Sequence, residues 1–162
     1  MARTTTEHQI VIQSANLNGV VRLEGIADEA FMPGRLLSVD NAEEYQNHNS
    51  AVGVLPGKLI ALETQTPDTD TYPTTAAIDI PYVADETCYV AQGQPGDVYN
   101  MWLADGYTAV KGQSMLASNG DGALRVVTVA AGTFTNSIVG TPDEDCDNSA
   151  GGTAVRLRVR IV

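Results

Sequence analysis

The stretch PGDVYNMWLADGYTAVKGQSMLASNGDGALRVVTV, Pro95 to Val129, decides the fold. It holds four short apolar runs, and each of the first three ends at a recognisable turn. Tyr99 to Leu103 stops at Ala104-Asp105-Gly106, and Tyr107 to Val110 stops at Lys111-Gly112. Ser114 to Ala117 stops at Ser118-Asn119-Gly120-Asp121-Gly122, and Ala123 to Val129 follows. Asn-Gly and Asp-Gly are favoured where the backbone takes a positive φ, because glycine has no Cβ to clash. Strand, turn, strand at this rhythm predicts antiparallel β structure. No titratable group in the stretch is placed for catalysis, so it reads as scaffold.

The chain's end carries the clearest single element. Val155, Leu157, Val159 and Ile161 alternate with Arg156, Arg158 and Arg160. Strict alternation predicts a strand with one buried face and three arginines on the other. Those arginines are either balanced by the protein's own carboxylates or form a contact stripe for an acidic neighbour, including another copy of this chain.

Composition points the same way. The 162 residues suit one domain, with or without an extended arm, and a chain of this size needs no metal or disulfide to fold. Only 18% of residues are charged, and helix-type Leu/Glu/Lys/Ala runs are missing. Nine Lys plus Arg against 20 Asp plus Glu give a formal charge of −11, which argues against direct nucleic-acid or anionic-membrane binding. No apolar run approaches the ~20 residues of a membrane span, and the N-terminus does not read as a signal peptide. Cys88 and Cys146 have acidic neighbours and read as reduced structural thiols.

Ahead of the central stretch, residues 1–19 are expected to form an extended arm, polar and Thr-rich except for the β-prone Ile10-Val11-Ile12. Such a run can order by adding a strand to a partner's sheet edge. Residues 20–162 are expected to form a single β domain. Within it, Ile26 to Met32 suits one helical turn, and Arg35-Leu36-Leu37-Ser38-Val39 and Leu59-Ile60-Ala61-Leu62 read as buried strands. Ala76 to Val83 reads as an edge segment because of Pro81. His48, between Asn47 and Asn49, reads as exposed, and Thr141 to Gly152 as an acidic loop.

The search for chemistry finds no constellation. Ser114 lacks the second glycine of a nucleophile elbow. His8 and His48 sit in polar stretches, and the glycines of Ser118 to Gly122 precede no Lys-Ser/Thr. Asp68-Thr69-Asp70 and the alternate Asp143, Asp145 and Asp147 resemble calcium fragments but lack the glycine and terminal glutamate of an EF-hand loop. Trp102, the single tryptophan, is expected to pack in the core. The expectation is a protein without catalytic residues, cofactor or metal.

Taken together, Asp97-Val98-Tyr99, Leu103-Ala104-Asp105-Gly106, Val110-Lys111-Gly112-Gln113 and Leu116 to Gly122 resemble the capsid decoration (cement) proteins of tailed phages. So do Ile138-Val139-Gly140, the final Val155 to Ile161, and the early Leu23-Glu24-Gly25 and Pro33-Gly34-Arg35-Leu36-Leu37. The resemblance implies an all-β fold, a small antiparallel β-barrel or β-tulip-like or sandwich domain with an N-terminal arm and long loops. It also implies a homotrimer on the outside of an expanded icosahedral head, stapling major capsid protein subunits. The contact candidates are then Ile10, Val11 and Ile12 on the arm, and Arg156, Arg158 and Arg160 on the last strand. The alternative is a carbohydrate- or calcium-binding β module displayed on a surface.

Overall fold

A computed structural model describes residues 9–15, 19–50, 57–64, 75–128 and 138–162. His8, Asp68-Thr69-Asp70 and the first eight residues of the expected arm lie outside them. The described residues are all-β: thirteen strands and one 3-10 turn. The strands are β1 (Val11–Gln13), β2 (Val21–Ile26), β3 (Leu36–Val39), β4 (Tyr45–Asn47), β5 (Leu59–Ala61), β6 (Thr87–Gln92) and β7 (Val98–Leu103). They continue with β8 (Tyr107–Ala109), β9 (Met115–Ser118), β10 (Leu124–Val127), β11 (Ile138–Pro142), β12 (Cys146–Asn148) and β13 (Val155–Ile161).

The central stretch and the terminal strand build one closed barrel. Its strands run β7-β10-β9-β11-β13, and β13 pairs with β7 to close the ring. Five strands cannot alternate direction all the way round, so one neighbouring pair must be parallel. That pair is β7–β10, joined only through Leu124 and Leu103, and the other four are antiparallel. The turns fall where glycine was read: Gly106, Gly112, Gly120 and Gly122 all have φ between 73° and 91°. Inside lie Tyr99, Met101, Leu103, Leu116, Leu124, Val139, Leu157, Val159 and Ile161, each almost without solvent contact. The residues Leu157, Val159 and Ile161 that alternate with arginine supply that interior, as the period-2 pattern requires.

A second sheet, β2-β6-β5-β3-β4, packs against the barrel. Adjacent residues on its middle strands go to opposite cores. Leu36, Ile60 and Ala91 join the barrel core, while Leu37, Ala61 and Val90 pack with Ala27, Phe31, Tyr45, Tyr82 and Cys88. A strand buried on both faces must be apolar throughout, which explains why Leu36-Leu37 and Leu59 to Leu62 show no alternation. Beyond β2, Ala27 makes a parallel bridge to Tyr45 of β4, so this sheet also curls towards closure.

Four local expectations are corrected. Ile26 to Met32 forms no helical turn: Ala27 N–H donates to Glu86 O (2.9 Å) and Asp28 N–H to Tyr45 O (2.8 Å), which holds the backbone extended. Ala76 to Val83 instead contains the 3-10 turn Ala77–Asp79, which carries Ile78 into the barrel core. Thr141 to Gly152 is not all loop, because Cys146–Asn148 pairs with Tyr107–Ala109. The arm is shorter than expected at its inner end. Ile10 is fully buried in the barrel core and β1 pairs antiparallel with β7, so residues 10–13 are built into the domain.

Candidate functional site

The six contact candidates have different surroundings. Ile10 is sealed inside, with its N–H donating to Glu63 Oε2 (3.2 Å) and its carbonyl accepting from Asn100 N–H (2.8 Å). It cannot offer its side chain to a partner without leaving the core. Val11 and Ile12 are half-buried on β1, which is the outermost strand of its sheet.

Each arginine of β13 meets a carboxylate of its own chain. Arg156 bonds Asp79 and the carbonyl of Ile78, and its guanidinium lies over the Trp102 ring, 4.3 Å from the centroid. Arg158 pairs with Glu144 (3.3 Å), whose other oxygen accepts from the Arg158 N–H (2.9 Å). Arg160 bonds Asp143 (3.1 Å) and Gly96 O (3.2 Å). Burial pushes the Asp143 carboxyl up, but the hydrogen bonds and charges of Arg160 and Lys111 outweigh it and hold the group below its ordinary range. Of the two sequence readings of this stripe, internal balance is the one built here.

Trp102 was expected in the core but is instead a half-buried spacer on the barrel's outside. Its Nε1–H donates to Pro33 O (2.8 Å), and Arg35 approaches the ring at 5.5 Å. Two guanidiniums on one indole stabilise each stacked pair by cation–π attraction at the cost of mutual repulsion. Burial lowers the Arg35 pKa; Asp121 opposes that and Arg156 adds to it. The cluster ties the Pro33–Arg35 segment to the barrel wall, so the ring is occupied by its own chain.

Nor do Asp143, Asp145 and Asp147 converge on a cation. Asp145 Oδ1 accepts from Lys111 N–H (2.8 Å), and Asp147 Oδ1 accepts from Thr108 Oγ1 (2.8 Å) and Ser149 N–H (3.1 Å). Among the described residues, the carboxylates that do approach one another are Asp28, Asp40 and Glu44, within 4.8 Å. No sequence spacing announces that trio. Asp40 Oδ1 already accepts from Ala42 and Glu44 N–H groups, as a turn carboxylate does. Ser114 Oγ likewise accepts from Val110 N–H and shapes a turn. Both cysteines are free; burial, with Glu86 adding, raises the Cys88 thiol to about 11, and burial with Asp147 raises Cys146.

The residue that sequence reading missed is His48, which is buried at the seam between barrel and second sheet. Its Nδ1 lies 2.8 Å from Ser118 Oγ, its N–H donates to Leu36 O (2.9 Å), and its carbonyl accepts from Gly122 N–H (3.2 Å). Ser118 Oγ also accepts from Gly120 N–H (3.1 Å), which leaves its proton for Nδ1 and favours the neutral imidazole. Burial pushes the His48 pKa below the usual histidine value, against a hydrogen bond that the ring donates to the Ser50 backbone and that favours protonation. The unfolded chain therefore takes up a proton below about pH 6.5 that the folded chain resists. Stability is full above that pH and falls as pH drops. Between pH 7.5 and 5.5 part of the loss of stability is therefore attributable to His48. His48→Gln should flatten this part of the urea-midpoint profile; an unchanged slope would remove His48 as its source.

No protein-family model matches the chain, and no curated protein matches it either.

Proposed function

We propose that this chain is a non-enzymatic structural protein of a phage virion. It binds the outer surface of an expanded icosahedral head as a homotrimer and bridges major capsid protein subunits. The observation that supports this reading is that most of the stretches resembling decoration proteins (97–99, 103–106, 116–122, 138–140 and 155–161) contribute to one closed barrel, while the early ones, 23–25 and 33–37, fall on the sheet packed against it. With β13's arginines paired to the chain's own carboxylates and a formal charge of −11, the chain suits a soluble protein that docks by surface burial and strand pairing. The carbohydrate or calcium reading loses its named residues, because Trp102 is stacked by arginines and Asp143, Asp145 and Asp147 are each engaged by protein donors.

The test is co-sedimentation of the purified chain with expanded phage heads lacking their outer accessory protein, followed by image reconstruction. Saturable density at lattice symmetry axes is expected; no binding to such heads would overturn the reading. A truncation used to test the arm should end at residue 8. Removing residues 1–14 would also take Ile10 from the core and β1 from the barrel, confounding weaker binding with a weaker fold.

A further inference from the structure

β2 is an outer strand of the second sheet. β6 covers one of its edges, and no described strand covers the other along Val21–Gly25; beyond that, β4 meets this edge, where Ala27 bridges Tyr45 and Asp28 N–H donates to Tyr45 O (2.8 Å). The ladder to β6 decides which backbone groups face that open edge. Val21 to Ile26 pair in unbroken register with Gln92 to Thr87, and the next residue, Ala27, donates its N–H to Glu86 O (2.9 Å). Hydrogen-bonded and non-hydrogen-bonded pairs alternate along an antiparallel ladder. Val21, Leu23 and Gly25 therefore turn their N–H and C=O groups to β6, while Arg22, Glu24 and Ile26 turn theirs outwards.

An antiparallel strand docking there must set outward groups opposite outward groups. For two copies of β2 related by a two-fold axis, the central registers are those centred on Arg22, Leu23 or Glu24. Centring on Arg22 puts arginine opposite arginine, and centring on Glu24 puts glutamate opposite glutamate; like charges directly opposite are destabilising. Centring on Leu23 sets each Arg22 against the other copy's Glu24, twice over.

We propose that two copies of this chain associate by pairing their β2 edges antiparallel about a two-fold axis at Leu23. Charged residues on an edge ordinarily discourage strand addition. Here their order makes the edge selective for itself, since an unrelated strand would leave Arg22 and Glu24 without matched charges. The inference does not depend on the capsid reading. If the chain forms trimers through another surface, the same contact joins two trimers.

Sedimentation equilibrium over a concentration series tests this on the full chain and three variants: Arg22→Glu, Glu24→Arg, and both together. Both side chains are exposed, so the variants should keep their unfolding midpoints. The wild type should show a twofold association step that weakens with salt. Each single reversal should weaken it about tenfold or more by creating two like-charge pairs. The double swap should restore it, because the pairs are again opposite in sign. No twofold step in the wild type, a step indifferent to single reversals, or a double variant as weak as the singles would each overturn the proposal. The capsid reading would stand or fall separately on head binding.

Discussion

Asp97→Ala is expected to destabilise the protein by about 3–5 kcal/mol, because it removes a buried carboxylate that accepts from three donors at once, one of them the buried Tyr99 hydroxyl. The Asp97 side chain has no solvent contact. Its Oδ1 accepts from Ala15 N–H (2.8 Å), and Oδ2 accepts from Gln94 N–H and the Tyr99 hydroxyl, both at 3.1 Å. Its own carbonyl accepts from Ile161 N–H (2.9 Å). One residue thus gathers the exit of β1, the turn before β7, the start of β7 and the end of β13. Burial, with the neighbouring Asp97 charge, drives the Tyr99 phenol above its ordinary range, so it remains a donor across any practical pH. Urea unfolding should rank the variants: Tyr99→Phe losing about 1–2 kcal/mol, and Asp97→Asn falling between that and alanine. If Asp97→Ala unfolds within 1 kcal/mol of the wild type, the carboxylate is not what joins these segments.

This clasp shows where sequence reading succeeds and where it stops. Asp105-Gly106 and Asn119-Gly120 were legible as turns because turn chemistry is local. The last strand was legible because period-2 alternation is a property of the strand itself. The order β7-β10-β9-β11-β13 was not, because pairing partners are chosen by long-range contacts that leave no local pattern. Nor was the parallel Leu103–Leu124 contact, which follows from closing an odd number of strands rather than from either residue.

The candidate site follows the same division. That arginines face away from the barrel interior was legible; that Asp79, Glu144 and Asp143 would meet them was one of two open readings. His48 was misread because its neighbours Asn47 and Asn49 are polar, whereas its burial is imposed by Ser118 and Gly122, some 70 residues on. Trp102 was misread because its neighbours on β7, Met101 and Leu103, are apolar and core-forming. The inner face of β7 fills the barrel, and its outer face is covered by the Pro33–Arg35 segment. Ile10 could be seen as β-prone but not as core, since β1 gains its burial only by pairing with β7.

The covering of that outer face makes the second large effect. Gly34→Ala is expected to cost about 2–4 kcal/mol, combining backbone strain with a steric clash. Gly34 has φ of +87°, a conformation L side chains adopt only at a penalty, and its N–H is committed to Ala61 O (2.8 Å). A Cβ there would lie 2.6 Å from the backbone carbonyl of Asn100, 3.3 Å from Ile10 Cδ1 and 3.4 Å from Trp102 Nε1. The first of these cannot yield by a side-chain rotation, because the Asn100 carbonyl belongs to a strand held on both sides by β1 and β13. Gly106 supplies the control, with nearly the same φ (+85°) but no atom within 4 Å of the added carbon. Gly106→Ala should therefore cost strain alone, about 1 kcal/mol. The difference between the two midpoints measures how tightly the second sheet is held against the barrel. Tryptophan emission should separate them too: it should shift in Gly34→Ala, where the indole's hydrogen bond to Pro33 O is disturbed, and stay fixed in Gly106→Ala. Equal costs with unchanged emission would mean the Pro33–Arg35 segment can lift from β7 freely, and that the two sheets are not one rigid body.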